Sequence, residues 1–258
     1  MNRFLQTCYA ALVYLFLYLP IVIVALFSFN NSQRSLVWGG FTLKWYQDLC
    51  QNTMLLQVAW HSLLLGIIAA TVATIIGVLI AVSLFRYRFY GKKLVHGIIF
   101  ILILMPEIVI AVSLLLLYSC LKVPLGFWTL LLAHIALCVP FVSITIHSRI
   151  ITLDQHILEA ALDLGAGDFT IFSKIIIPLL LSAIAAGWLL SFTLSMDNII
   201  ISYFVSGPSF NILPLKIYAM VRLGVKPEVN ALCTIMLAFT LLAVVASYHG
   251  IFKRQEKS

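Results

Sequence analysis

Six long apolar runs dominate this chain, at about residues 9–29, 62–85, 94–117, 127–146, 179–205 and 230–251. A helix crossing the hydrocarbon core of a bilayer needs about 20 apolar residues, so every run is long enough to span. Composition agrees: 63% of the 258 residues are hydrophobic and 10% are charged, against about half and about a quarter in a soluble domain. One water-exposed globule cannot hide that much apolar surface, and a chain this apolar does not stay disordered. The expected fold class is all-α: a polytopic membrane protein of six transmembrane helices, forming one transmembrane domain over residues 1–258. The first run follows Arg3 and is too long for a typical signal-peptide core, and no clear A-x-A site follows it. An uncleaved first span is expected.

Net charge is +7, from 16 Lys+Arg against 9 Asp+Glu. The cations cluster at span ends, where the positive-inside bias and anionic headgroups account for them without nucleic acid. An even number of spans puts both termini on one side. That side carries Arg3, Arg86, Arg88, Lys92, Lys93, Arg149, Lys174, Lys253, Arg254 and Lys257; the other carries Arg34, Lys44, Lys122, Lys216, Arg222 and Lys226. The dense 86–93 cluster fills a short loop and assigns that side, with both termini, to the cytoplasm. Cys8, Cys50, Cys120, Cys138 and Cys233 form no CxxC and read as small packing residues; a Cys50–Cys120 disulfide is left open. The six histidines lack metal-ligand spacing, and His134 reads as a hydrogen-bonded packing residue. No metal is expected.

The outer loop 32–60 carries Trp38, Gly39, Gly40, Trp45 and Tyr46, which suit a membrane interface, with a short helix lying there. The segment 207–228 is rich in Gly and Pro. The loop 149–178 is patterned instead. Asp154 can cap a helix over 155–164. Ile157, Leu158, Ala161, Leu162 and Gly165 approximate one apolar face, and Gly165 and Gly167 stop the helix. Asp168 then caps a second helix, 169–177, which ends before Pro178. By pattern alone this could equally be an amphipathic hairpin resting on lipid.

The string itself is more specific. Glu159-Ala160-Ala161, three residues, Gly165, nine residues, then Ile175-x-Ile177-Pro178 resembles the EAA motif of bacterial ABC-importer permeases, with Ile177 where Leu is usual. The stretches 40–46 (GFTLKWY), 81–91 (AVSLFRYRFYG), 190–198 (LSFTLSMDN), 206–209 (SGPS) and 212–220 (ILPLKIYAM) extend the likeness over nearly the full length. They make the chain similar to the PotC-type permease family of spermidine/putrescine importers. The resemblance implies a bacterial inner-membrane permease with the MetI-like fold. Glu159, Ala160, Ala161, Gly165, Ile175 and Pro178 would form a coupling loop that docks on a separate ATPase. It also implies a second six-span permease, a periplasmic polyamine-binding protein, and no cofactor on this chain, ATP and Mg being held by the ATPase. No P-loop, H-E-x-x-H or G-x-S-x-G occurs here, so an enzyme is not expected.

Two acids fall inside predicted spans, Glu107 and Asp197. A charge at membrane depth costs about 2.5–3.5 kcal/mol on insertion scales, so such residues face cavities or partners. Pro106 removes a backbone hydrogen bond beside Glu107 and can kink span three. Thr193 shares a helix face with Asp197, and Ser191, Ser195, Asn198 and Ser202 form an adjacent polar stripe. A substrate path for a cation is expected at Asp197, Glu107 and Thr193, with Trp188, Phe192, Tyr203 and Phe204 as apolar or cation–π neighbours; the structural alternative is Asp197 paired with a basic or polar group of a neighbouring helix and Glu107 neutral and hydrogen-bonded. The alternatives are an importer of another small solute and a secondary cation transporter. The second would carry its own coupling acids but has no use for the 149–178 loop.

Overall fold

The computed structural model describes residues 3–32, 37–208, 210–222, 224 and 227–255, with the backbone alone at 3, 4, 6, 155 and 243–255. Arg34, Ser209, Lys226 and Lys257 lie outside the described residues, as do the side chains of Arg3, Lys253 and Arg254. The described elements are helices, joined by one isolated antiparallel bridge, Asn30 with Phe41. Two compact units form, residues 1–58 with 216–258, and residues 59–215.

In the first unit, α1 (Arg3–Phe27) packs beside the C-terminal helix Pro227–Gln255, and α2 (Lys44–Gln51) packs on the same helix. The connection between α1 and α2 folds around buried Asn30. Its Oδ1 accepts from the Gly39 N–H at 2.7 Å, and its Nδ2 donates to the Val37 carbonyl at 2.7 Å. The Trp45 indole donates to the Asn30 carbonyl at 2.8 Å. The expected short helix in the outer loop is α2, which contains Trp45 and Tyr46.

Helix α3 (Thr53–Arg86) enters the second unit, which continues through α4 (Lys92–Leu104), α5 (Glu107–Cys120), α6 (Phe127–Ile150), α7 (Gln155–Asp163), α8 (Asp168–Leu179), α9 (Leu181–Asp197) and α10 (Ile200–Val205). Then follow α11 (Leu213–Arg222) and α12 (Pro227–Gln255). Helices α1, α3 and α6 are each long and apolar enough to cross a membrane alone. Two bent pairs, α4 with α5 and α8 with α9, pass the same test of length and composition together, which makes up to five if each pair is one span. The sixth predicted run lies in α12, whose stretch Pro227–Leu242 is apolar.

Runs three and five are therefore not single helices. Between α4 and α5 the axis turns by 110°. Met105 is extended (φ −72, ψ 134), as a residue before proline prefers, and Pro106 brings no N–H to continue the ladder. Between α8 and α9 the turn is 71°. After Asp197 the backbone leaves the helix at Asn198 (φ −75, ψ 100) before α10 begins. Helix α11 lies within the segment read as breaker-rich; Pro214 sits in its first turn, where a missing N–H costs nothing.

Close packing of α3, α6 and α9 follows from small residues. Ala69, Ala73, Gly77 and Ala81 recur every fourth residue of α3, and all are buried. Val142 of α6 sits between two glycines: a Cβ on Gly77 would lie 2.6 Å from Val142 Cγ1, and one on Gly187 3.2 Å from the same atom. This is how membrane helices bring backbones together without a hydrophobic drive between them. Two apolar clusters result. One joins Leu65, Leu130, Leu137 and Ile201; the other joins Val82, Val142, Ile146 and Ile150 to Ala161, Ile171 and Ile176 of the 149–178 loop. All five cysteines are free; Cys138 is buried, whereas Cys8, Cys50 and Cys120 are exposed rather than packed.

Candidate functional site

The 149–178 loop is a helix, a glycine corner and a second helix. The Asp154 carboxylate accepts from the His156 N–H at 3.0 Å and caps α7. At the other end Gly165 takes φ +76, a left-handed conformation open to glycine at no steric cost. The Gly165 N–H donates to the Leu162 carbonyl at 2.9 Å, and the Ala166 N–H to the Ala161 carbonyl at 3.0 Å. That pair of bonds is a Schellman closure. Gly167 does not stop a helix; it is the extended residue (ψ 160) from which α8 starts. Asp168 is not a cap either. It lies in the first turn of α8, and its carboxylate accepts from the Arg86 guanidinium at the end of α3.

Nor does Pro178 end its helix. The turn Phe172–Ile176 is a π-helix, in which the Ile177 N–H reaches the Phe172 carbonyl, so the ladder already runs out of α-register before the proline. The helix continues to Leu179 and bends at Leu180. The apolar face splits as well. Leu158 and Ala161 pack inward on the chain's own core, while Ile157 and Leu162 are exposed. Ala160 points outward, and Leu164 and Phe169 flank the corner at 89% and 81% exposure. Glu159 is exposed, 3.3 Å from His156 Nδ1. Of the six motif residues, Glu159, Ala160, Gly165 and Pro178 are on the surface, Ile175 is half-buried, and Ala161 is buried.

The second constellation lies where the bent spans meet. Asn198 Nδ2 donates to Glu107 Oε2 at 3.2 Å, joining the break after α9 to the break before α5. Asn198 Oδ1 accepts from the Ile201 N–H at 2.9 Å and so starts α10. Ser202 Oγ donates to the Asn198 carbonyl at 2.6 Å. Ser202 has one proton, so it accepts from His134 Nε2 at 3.1 Å, and His134 Nδ1 accepts from Ser195 Oγ at 2.7 Å in the neutral ring. His134 and Ser202 are fully buried. Ser191, Ser195, Asn198 and Ser202 are all buried, Ser195 and Ser202 against His134 of α6 and Asn198 against Glu107 of α5.

Asp197 points elsewhere. Ala186, Leu190, Thr193 and Asp197 form the exposed stripe of α9, at helical spacing. Asp197 has no ionic partner among the described residues. Trp188 stacks on Phe192 at 5.5 Å, and its indole donates to Thr71 Oγ1 at 3.1 Å, so these aromatics pack α9 on α3. Tyr203 of α10 is exposed, and Phe204 packs on the apolar cluster. The structure thus joins Thr193 to Asp197 on one face and places Glu107, half-buried, in the Asn198 network.

The family described as binding-protein-dependent transport system inner membrane component matches residues 73–258. The chain belongs to this family. It is 53% identical over 246 residues to the spermidine/putrescine transport system permease protein PotC of Escherichia coli (strain K12), covering 95% of this chain and 93% of that one. The putrescine transport system permease protein PotI of the same strain is 39% identical, with 94% and 88% covered. Among solved structures, a bacterial ABC transporter importing the acidic polysaccharide alginate superposes with a TM-score of 0.75 at 14% identity, covering 95% and 93%. The MetNI methionine ABC transporter superposes with a TM-score of 0.65 at 16% identity, covering 77% and 95%. The fold is that of ABC-importer permeases, the MetI-like fold. The chain is an inner-membrane transport component of an ABC importer and not an enzyme. A secondary transporter is thereby set aside. His134 is the hydrogen-bonded packing residue expected from the sequence; its partners escaped sequence reading because the network joins residues 61 to 91 positions apart, and the local signal was the recurrence of Ser and Asn in an apolar run.

Proposed function

We propose that this permease carries spermidine and putrescine into the cytoplasm, with both of its termini on the cytoplasmic side. The observation that carries the substrate reading is the 53% identity, over 95% of the chain, to a spermidine/putrescine permease, against 39% to a putrescine permease. In this reading a periplasmic binding protein delivers the polyamine, and a second permease of the same kind completes the pathway. ATPase subunits, which hold ATP and Mg, drive it. The exposed face of α7 with the Gly165 corner, namely Glu159, Ala160, Leu164 and Phe169, docks on the ATPase. Ala161, Ile171 and Ile176 tie that corner to the core beneath Val142, so motion of the ATPase reaches α3, α6 and α9.

The substrate ammonium is drawn along the exposed face of α9. Asp197 supplies uncompensated charge there, and Thr193 supplies a hydroxyl one turn away. Glu107 acts from the break behind it. Tyr203 offers a ring to the methylene stem or to the cation; Trp188 and Phe192 shape the α9 wall from within. The test is uptake of labelled spermidine and putrescine by the complete importer reconstituted in vesicles, with unlabelled polyamines, amino acids and sugars as competitors. ATP-dependent uptake displaced only by polyamines is expected. Uptake unaffected by polyamines and displaced by another solute overturns the substrate reading.

A further inference from the structure

A cavity of about 410 Å³ opens beside the coupling corner, between the end of α3 and α8. Leu79 and Val82 form its α3 wall, Phe172 and Ile176 its α8 wall, and Arg86 with Asp168 close one end. The spacings 79, 82, 86 and 168, 172, 176 each trace one helical face, so the cavity is a groove running along both helices. Leu79 lies seven residues from Arg86, about 10 Å deeper into the span. The groove thus starts at headgroup level and ends among apolar side chains, and Leu79 at its deep end is half exposed.

Its mouth is basic. Arg86 lines it, Arg88 is exposed in the link that follows, and Lys93 is exposed in the first turn of α4. Lys92 Nζ is held over the link by the Tyr87 carbonyl at 3.4 Å. The acid at the mouth, Asp168, is engaged by Arg86. A guanidinium offers five donors, and the contact with Asp168 uses Nη2 alone. An apolar slot at acyl depth beneath clustered cations fits one molecule: a phospholipid with an anionic headgroup.

We propose that this groove binds one anionic phospholipid, its phosphate on the Arg86–Lys93 cluster and one acyl chain between Leu79, Val82, Phe172 and Ile176. The inference rests on the membrane-spanning role of the family and extends it, because Asp168 and Phe172 belong to the helix that leaves the coupling corner. A filled groove braces that helix against α3.

The experiment uses the assembled importer in vesicles containing phosphatidylglycerol or phosphatidylcholine with a photoreactive diazirine on the acyl chain. Adducts are mapped by mass spectrometry. Labelling at residues 79–87 and 168–176 by the phosphatidylglycerol probe, well above the phosphatidylcholine probe, is expected. Leu79→Trp, which fills the slot, removes those adducts and leaves labelling elsewhere unchanged. Each of Arg88→Gln, Lys92→Gln and Lys93→Gln lowers the preference for phosphatidylglycerol by up to roughly fivefold. Equal labelling by both probes, or labelling insensitive to Leu79→Trp, overturns the proposal. So does loss of the adducts when the ATPase is added to ATPase-free permease, which would make the groove a socket for that subunit. Polyamine uptake is read in the same vesicles; its failure with the labelling intact would count against the substrate reading and not against the lipid site.

Discussion

At the scale of single residues, the two membrane acids do different work. Asp197 is exposed without an ionic partner among the described residues, and Glu107 is tied to Asn198. Asp197→Asn keeps size and removes charge; uptake per assembled complex is expected to fall at least tenfold, with Asp197→Glu milder. Wild-type uptake by Asp197→Asn would transfer the electrostatic role elsewhere. His134 is the opposite case, a buried ring whose two nitrogens satisfy two hydroxyls. His134→Leu leaves Ser195 and Ser202 without that partner and should cost about 2–4 kcal/mol, read as a lower thermal midpoint of the purified complex; His134→Gln, which keeps a donor and an acceptor, should lose less. Sequence reading found both acids because charge is rare in an apolar run. It could not tell the free carboxylate from the bonded one, since that depends on Asn198 meeting Glu107 across 91 positions.

Elements show what periodicity can and cannot reveal. The helix–corner–helix of the 149–178 loop was legible, because a cap and a glycine are local signals: Asp154 and Gly165 act as expected. Asp168 was misread, because its partner Arg86 lies on another helix. The bend at residues 105–106 was expected from Pro106; the bend at 180 was hidden beneath uninterrupted hydrophobicity, since the π-turn before Pro178 has no simple sequence sign. Gly165→Val places a β-branched residue at φ +76, which costs about 1–2 kcal/mol or more, and should abolish uptake while the chain still inserts; Gly165→Asn should retain more. Normal uptake by Gly165→Val at normal expression would argue against the corner as the coupling element. Between α3 and α6, Gly77→Ala puts a methyl 2.6 Å from Val142 Cγ1 and should destabilise by about 1–3 kcal/mol. Val142→Ala in the same chain should recover part of that loss, as a double-mutant cycle of thermal midpoints would show.

For the whole molecule, the apolar runs announced a membrane protein, and the absence of a P-loop announced that energy comes from elsewhere. The chain purified alone should hydrolyse no ATP, whereas the complex with its ATPase should; phosphate release measured on both checks this. Among the described residues, the apolar window of helix α1 holds no buried position. The bond between Asn198 and Glu107 has a further consequence, for the order of events at the ribosome. Glu107 is synthesised 91 residues before its partner, a delay of roughly 5 to 20 seconds at ordinary elongation rates. During that interval a carboxyl group sits at the start of α5 with no Asn198 to receive it, and His134 likewise waits 61 residues for Ser195. Glu107 and His134 are therefore expected to gain these partners only after residues 195–202 have been synthesised.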